Sequence, residues 1–302
     1  MLDMYKLLYR IASKLKITNL LSDKVFLKFQ FRALMGTELD LNNPITFNQK
    51  LNWMKLFDRN PLYTRLVDKI AVKKWVSEKV GNQDLLIPTL GVYNSLDDIN
   101  INELPGQFVL KTSHSGDSLG VVICKDKKKF NSKVAFAQLN KSLNIDYYKP
   151  GREWPYKNVP RRIIAEKYME DEFGELRDYK FFCFNGEVKA LFVATNRSTG
   201  HVCFDYFDQN FNHLDFIQSH SNFDAVINKP KNFEKMVSIA SLLSKGLPHV
   251  RVDLYNINGC IYFGEMTFYH YGGVIAFHPE EWDYKFGEWI DLSLCYNNKK
   301  HE

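Results

Sequence analysis

The chain has 302 residues, 45% hydrophobic and 25% charged, which excludes disordered and fibrous classes and provides enough apolar residues for a large core or two lobes. No stretch reaches the roughly 18 uninterrupted apolar residues of a membrane span, and the opening MLDMYKLLYR lacks an apolar signal core, so a soluble, cytoplasmic protein is expected. Its net charge of +5 resides in residues 1–35, where Lys6, Arg10, Lys14, Lys16, Lys24, Lys28 and Arg32 meet only Asp3 and Asp23; a charge-balanced remainder argues against nucleic acid as partner.

The first 60 residues read as helical. Leu7, Leu8, Ile11 and Leu15 fall on one face with Lys6, Arg10, Lys14 and Lys16 largely off it. Two readings follow: a helix packed on the body, the expectation weighed first, or a basic amphipathic helix on an anionic membrane surface. After Pro44, Thr46-Phe47-Asn48-Gln49 fits a capping box ahead of Leu51, Trp53, Met54, Leu56 and Phe57. A third helix is predicted with Asn60 as N-cap, Pro61 at its first position and Gly81 past its end. From residue 86 the texture becomes β-rich: LIPTLGVY, QFVLK, LGVVICK, RRIIAEKYM, LRDYKFFCFN, EVKALFVATN and HVCFDYFD read as strands. HVRVDLY and IYFGEMTF read as a hairpin across NINGC. Helical segments near 131–144 and 232–245 interrupt them. Hairpin-linked strands predict a mostly antiparallel α+β body.

Common nucleotide and hydrolase signatures are missing, and the five cysteines form no C-x-x-C pair, which reads as reduced thiols. Three places put charge on otherwise apolar strands, costly unless a partner or ligand meets it. Lys111 ends FVLK and precedes the small, polar run Thr112-Ser113-His114-Ser115-Gly116-Asp117-Ser118-Leu119-Gly120. That pattern suits either a phosphate-cradling loop or a hairpin with a solvent-facing lysine. Arg251 and Asp253 share one strand face, as do Glu265 and Thr267 on the partner, so the two acids can approach across the ladder. Paired oxygens beside an arginine suit Mg²⁺ with a triphosphate, or a surface ion-pair set. Glu166-Lys167-Tyr168-Met169, followed by Arg177-Asp178-Tyr179-Lys180, can offer backbone to a base edge and an acid to ribose, though any half-exposed strand alternates in this way.

Taken in order, a helix with Asp68-Lys69 and Lys73, Lys111 with its loop, AEKYM, RDYKFF and RVDLY…GEMT resemble an ATP-grasp ligase. TFNQKLNWMKLFDRNPLYTRLVDK, FVLKTSHSG, REWPYKN, DYKFFCFNG, VRVDLYN and PEEWDYKFGEW are similar to the TupA-like ATP-grasp family, named for teichuronopeptide biosynthesis and found among bacterial surface-polysaccharide genes. The resemblance spans roughly residues 40 to 292 and implies two α+β lobes with antiparallel sheets clasping ATP. The implied division is a helical region at 1–60, an N-terminal lobe at 61–165 and a C-terminal lobe at 166–302. It implies ATP contacts from Lys69 or Lys73, Lys111, the loop from Thr112 through Ser113, His114, Ser115 and Gly116 to Gly120, and the hinge Glu166, Lys167, Tyr168 and Met169. Asp178 would meet the ribose, with Lys180 beside it. Mg²⁺ would fall to Asp253, Glu265 and Thr267, and catalysis to Arg251 with Lys111. Thr267 stands where many relatives have asparagine, and FYHYGG lacks the usual Pro-Gly, leaving the role of His270 open.

The resemblance further implies that Mg²⁺-ATP phosphorylates a carboxylate and an amine displaces the phosphate. The acceptor would be a uronic acid on a nucleotide- or lipid-linked glycan, and the site would lie in the cytoplasm or at the inner face of the membrane. A glycosyltransferase, a small-molecule kinase and a non-catalytic scaffold are the alternatives; the chain contains no Asp-x-Asp, the commonest signature of the first. Trp154 and Tyr156 could stack on sugar rings or pack in the core.

Overall fold

The computed structural model describes residues 2–171, 174, 176–196 and 200–296; the last residues of the expected C-terminal lobe, 297–302, lie outside them. Helices α1 (Leu2–Lys14), α2 (Asp23–Met35) and α3 (Phe47–Phe57) open the chain. The capping box forms as its residues predict: the Thr46 side chain accepts from the Gln49 backbone, and the Gln49 side chain accepts from the Thr46 backbone.

The single helix expected after Asn60 is two. Asn60 does cap the start, accepting from Leu62 N at 3.1 Å, and Gly81 does end the run with φ +71°. Between α4 (Leu62–Val67) and α5 (Ala71–Val80), however, the chain breaks at Asp68-Lys69-Ile70. Asp68 accepts from Ile70 N at 2.9 Å and from Arg162 at 2.9 Å, while Lys69 N donates to Ser113 O at 3.1 Å. Tertiary hydrogen bonds thus replace helical ones, as an aspartate with neighbouring partners permits.

β1 (Thr89–Tyr93), β2 (Phe108–Thr112), β3 (Val121–Cys124) and β4 (Ile163–Lys167) form an antiparallel sheet in the order β1-β4-β2-β3. α6 (Ser132–Leu143) covers it, and Phe108, Leu110, Ile163, Ala165 and Leu139 make its core. β5 (Asp178–Phe184), β6 (Glu187–Thr195), β7 (Cys203–Asp208), β8 (His213–Leu214), β9 (Val250–Ile257) and β10 (Cys260–Thr267) form a second antiparallel sheet in the order β10-β9-β5-β6-β7-β8. α7 (Phe233–Ser244) packs on one face of it through Phe233, Met236, Ala240 and Leu243. α3 and α8 (Glu281–Glu288) bury Phe47 among Phe182, Phe184 and Phe286 on the other. Burying a ring as completely as Phe47 contributes about 1.5–3 kcal/mol. Residues of α3, α4 and α5 belong to this second core. Two α+β bodies with antiparallel sheets and a helical N-terminal region are the architecture expected from the sequence. No helix among the described residues is long and apolar enough to cross a membrane.

Candidate active site between the sheets

Three strands of the larger sheet carry one charged row. Opposite Asp253 on β9 stand Lys180 of β5 and Glu265 of β10, and opposite Arg251 stand Phe182 and Thr267. The pairing of the two acids depends on a bulge. Up to Phe263 the ladder keeps one register; Gly264 is then skipped, and Glu265 falls opposite Asp253. Were Gly264 paired in register instead, Glu265 would face Val252 and point to the other side. A side chain at position 264 would meet the Asp253 carbonyl at 3.0 Å and the Tyr255 ring at 3.1 Å, which explains the glycine.

Arg251 is held from four directions. Its Nε and Nη2 donate to the two Asp253 oxygens at 2.7 and 2.8 Å, Nη2 also reaches Thr267 Oγ1 at 3.0 Å and Glu265 at 3.4 Å, and Nη1 donates to His270 Nδ1 at 3.0 Å. Since a guanidinium only donates, His270 Nδ1 must accept; its Nε2–H is left to donate to Gln218 Oε1 at 2.9 Å. Burial and the neighbouring Arg251 keep His270 neutral, well below its ordinary pKa. Asp253 also receives Lys180, which lies 3.4 Å from Asp178.

The smaller sheet supplies Lys111, and the segment from the α4–α5 break into α5 supplies Lys69 and Lys73. Lys111 and Lys73 both grip the buried Glu166 carboxylate, the former at 2.7 Å. Burial would raise Glu166, yet these two lysines outweigh it and hold its pKa below the ordinary value. Lys73 donates further to Ile87 O and Thr89 Oγ1. Lys69 takes a different post: it donates to Ser115 O in the loop and lies 3.6 Å from Glu265. Sequence could not choose between the two; both reach the cleft, Lys73 beside Lys111 and Lys69 at the acidic row. Burial opposes ionisation of Glu265 too, but Lys69, Lys180, Arg251 and Lys111 together bring its carboxyl to about 2.

The loop after Lys111 divides in two. Thr112, Ser113, His114 and Ser115 are buried: Thr112 bonds Ser142, Ser113 donates to Pro160 O, Ser115 donates to Thr112 O, and His114 packs edge-on to Tyr147. Gly116, Asp117 and Ser118 are the exposed part. The side chains of Thr112 to Ser115 therefore fix the loop's root. In the hinge, Lys167 is exposed, and Tyr168 donates to Glu170 at 2.8 Å under Lys125, 5.5 Å from its ring. These and Met169 lie apart from the Arg251 network.

Sequence reasoning missed a set of residues from the REWPYKN and FYHYGG segments. Lys55 of α3 is fully buried and donates to Gly272 O at 2.6 Å. A Cβ on Gly272 would lie 3.6 Å from Glu153 Oε1 and 3.7 Å from Lys55 Nζ, which locates the Glu153 carboxylate beside this lysine. Burial, opposed by Lys55 and Arg251, raises the Glu153 pKa, and burial lowers that of Lys55. Tyr156 approaches Gly116, its hydroxyl 3.7 Å from where a Cβ there would sit; burial, then Glu153 and Glu265, raise its pKa well above the ordinary value. Trp154 instead stacks on Tyr63 at 5.7 Å, as packing requires. The REWPYKN motif and a lysine among the apolar positions of α3 were the sequence signals for this set, but neither Glu153 nor Lys55 was singled out from them.

The donor set fits a magnesium ion in part. Asp253 and Glu265 are two adjacent carboxylates, the number Mg²⁺ takes when phosphate completes its shell. Thr267 already accepts from Arg251, and no group of three metal-ligating side chains occurs among the described residues.

The sequence profile of the family described as TupA-like ATPgrasp matches residues 49–291. No curated protein matches. Similar solved structures include D-alanine–D-alanine ligase from Bacillus anthracis, at 18% identity and TM-score 0.40 over 71% of this chain and 62% of that one. The Helicobacter pylori D-alanine–D-alanine ligase gives 16% and 0.42 over 81% and 69%, and a RimK domain ATP-grasp protein from Sphaerobacter thermophilus 9% and 0.42 over 76% and 69%. The chain thus spans less than two thirds of the first of these proteins.

Proposed function

The chain belongs to the TupA-like ATP-grasp family, and on that premise we propose that it is an ATP-dependent, ADP-forming carboxylate–amine ligase. The observation that carries the reading is the Arg251 clamp: one guanidinium fixed by Asp253, Glu265, Thr267 and His270, with Lys69, from the break between α4 and α5, beside Glu265. Such preorganised charge suits a phosphoryl group in transit. ATP would be clasped between a part supplied by residues 61–165 and a part supplied by 166–302, after the helical region 1–60.

In this reading an acceptor carboxylate oxygen attacks the γ-phosphorus, the bond to the β-phosphate oxygen breaks, and ADP leaves. Lys111, Lys73 and Lys69 bind the phosphates, and Arg251 stabilises the charge that grows on the transferred group. Mg²⁺, held by Asp253 and Glu265, would supply further neutralisation. The amine nitrogen then attacks the acyl carbon, the bond to phosphate breaks, and the amine proton passes to Glu153. A carboxylate beside Arg251 whose pKa is raised by burial is suited to that transfer. Gly116, Asp117 and Ser118, the exposed part of the loop, would exclude water from the acyl phosphate.

The finer substrate reading is a uronic-acid carboxylate on a nucleotide- or lipid-linked glycan, joined to an amino acid. It is supported by the family's place in bacterial surface-polysaccharide synthesis. Release of ADP and phosphate from Mg²⁺-ATP, measured with uronic acids crossed with amino acids, tests it. Turnover is expected only with both substrates present, and not in Lys111→Ala or Asp253→Ala. Phosphate retained on the acceptor would identify a kinase instead, and absence of nucleotide binding would overturn the ATP reading.

A further inference from the structure

α1 turns its apolar stripe away from the protein. It packs on α2 through the opposite face, where Tyr9 lies 6.4 Å from Phe26 and 5.8 Å from Phe29 and accepts from Gln30 at 2.8 Å. Arg32 of α2 lies over Tyr5. The residues expected to pack stand in solvent: Leu7 is 57% exposed, Leu8 48%, Ile11 47% and Leu15 64%, and Met4 beside them is 55% exposed. Positions 4, 8, 11 and 15 with 7 form one helical stripe; Lys14 borders it beside Leu7, Arg10 stands further round on the same flank, and Lys6 lies near the opposite side. Ile17, Leu20 and Val25, all exposed, extend the apolar band beyond the helix end.

We propose that this face docks the protein on an anionic lipid bilayer, with Met4, Leu7, Leu8, Ile11 and Leu15 entering the acyl boundary and Arg10 and Lys14 meeting the headgroups. An apolar stripe flanked by cations is complementary to a surface that is apolar beneath and negative above. A second copy of the chain fits worse, because apposing two such faces would bring two basic flanks together. The docking goes beyond the ligase reading and does not rest on it.

The test is co-sedimentation of the full-length protein with vesicles of phosphatidylcholine alone or containing roughly one third phosphatidylglycerol. Binding is expected to the anionic vesicles only and to weaken as salt shortens the Debye length. Each basic residue contributes roughly fivefold, so Arg10→Gln/Lys14→Gln should bind about twenty-five-fold more weakly. Leu8→Ser/Ile11→Ser/Leu15→Ser should lose binding while keeping the wild-type melting temperature, because those side chains already face solvent. Equal binding to neutral vesicles, no binding by the wild type, or wild-type binding by either variant overturns the proposal. So does a serine variant that alters only the sedimentation coefficient, which would make the face a contact between copies.

Discussion

Arg251 satisfies Asp253, Thr267, Glu265 and His270 at once, which a planar fork can do and a point charge cannot. Arg251→Lys is therefore expected to lower kcat by at least about a hundredfold. Steady-state phosphate release measures this, and a loss below about threefold would show that the clamp is not used in the transition state. At Glu153 the expectation concerns pH. A base must be ionised to accept a proton, so a group whose pKa burial has raised gives activity that climbs with pH above the ordinary glutamate value of about 4.3. Glu153→Gln should lower kcat and remove that limb from the kcat profile. A glutamine enzyme that retains the limb would assign it elsewhere.

At the scale of elements, the phosphate loop and the β9–β10 hairpin are both shaped by close backbone approach. A Cβ on Gly120 would come within 2.0 Å of Ser115 Oγ and 2.4 Å of Thr112 Oγ1. Those hydroxyls are anchored, so Gly120→Ala must shift the loop root. It should cost about 1–3 kcal/mol in unfolding free energy and raise KM for ATP. Denaturant titration and nucleotide kinetics check the two halves separately, and an unchanged KM would detach the loop from ATP. α3 was legible as an element because Thr46, Gln49 and the apolar positions after them each do what their chemistry predicts. The break between α4 and α5 was not, because Arg162 and Ser113 pair with Asp68 and Lys69 from about 94 and 44 residues away, as differences of their numbers. That break gives Lys69 and Lys73 their separate posts.

Across the whole molecule, the proposed function draws on residues of both sheets, Lys111 on one and Asp253 and Glu265 on the other, so Mg²⁺-ATP should stabilise the folded state. At a hundredfold excess over Kd the gain is about 2.7 kcal/mol. A rise in melting temperature for the wild type and its loss in Lys111→Ala are the expected outcomes of a thermal scan; an equal rise in the variant would remove Lys111 from the nucleotide site. The carboxylates have their own effect. Glu166 and Glu265 are both held below their ordinary pKa, so the stability they contribute is present above the unfolded value of about 4.3 and is lost as pH falls through their folded values. For Glu265 that fall extends to about 2. Acid unfolding monitored by circular dichroism should accordingly begin at higher pH in Lys69→Ala, where one of the cations that hold Glu265 down is gone.

By itself the sequence determined what is local or periodic: the helical opening, the strands, the β9–β10 hairpin, and motifs specific enough to carry the family; the bulge that brings Glu265 opposite Asp253 was not among them. Alternation and turn chemistry act over a few residues and leave their mark in order along the chain. Tertiary structure decided what depends on distant partners. It set Lys69 on Glu265 and Lys73 on Glu166, buried the side chains of Thr112 to Ser115 at the loop root, and brought Lys55, Glu153, Gln218 and His270 around the charged row. It also left the apolar face of α1 in solvent. An amphipathic pattern states that a face needs cover, and only the packing of the rest of the chain determines whether the protein supplies it.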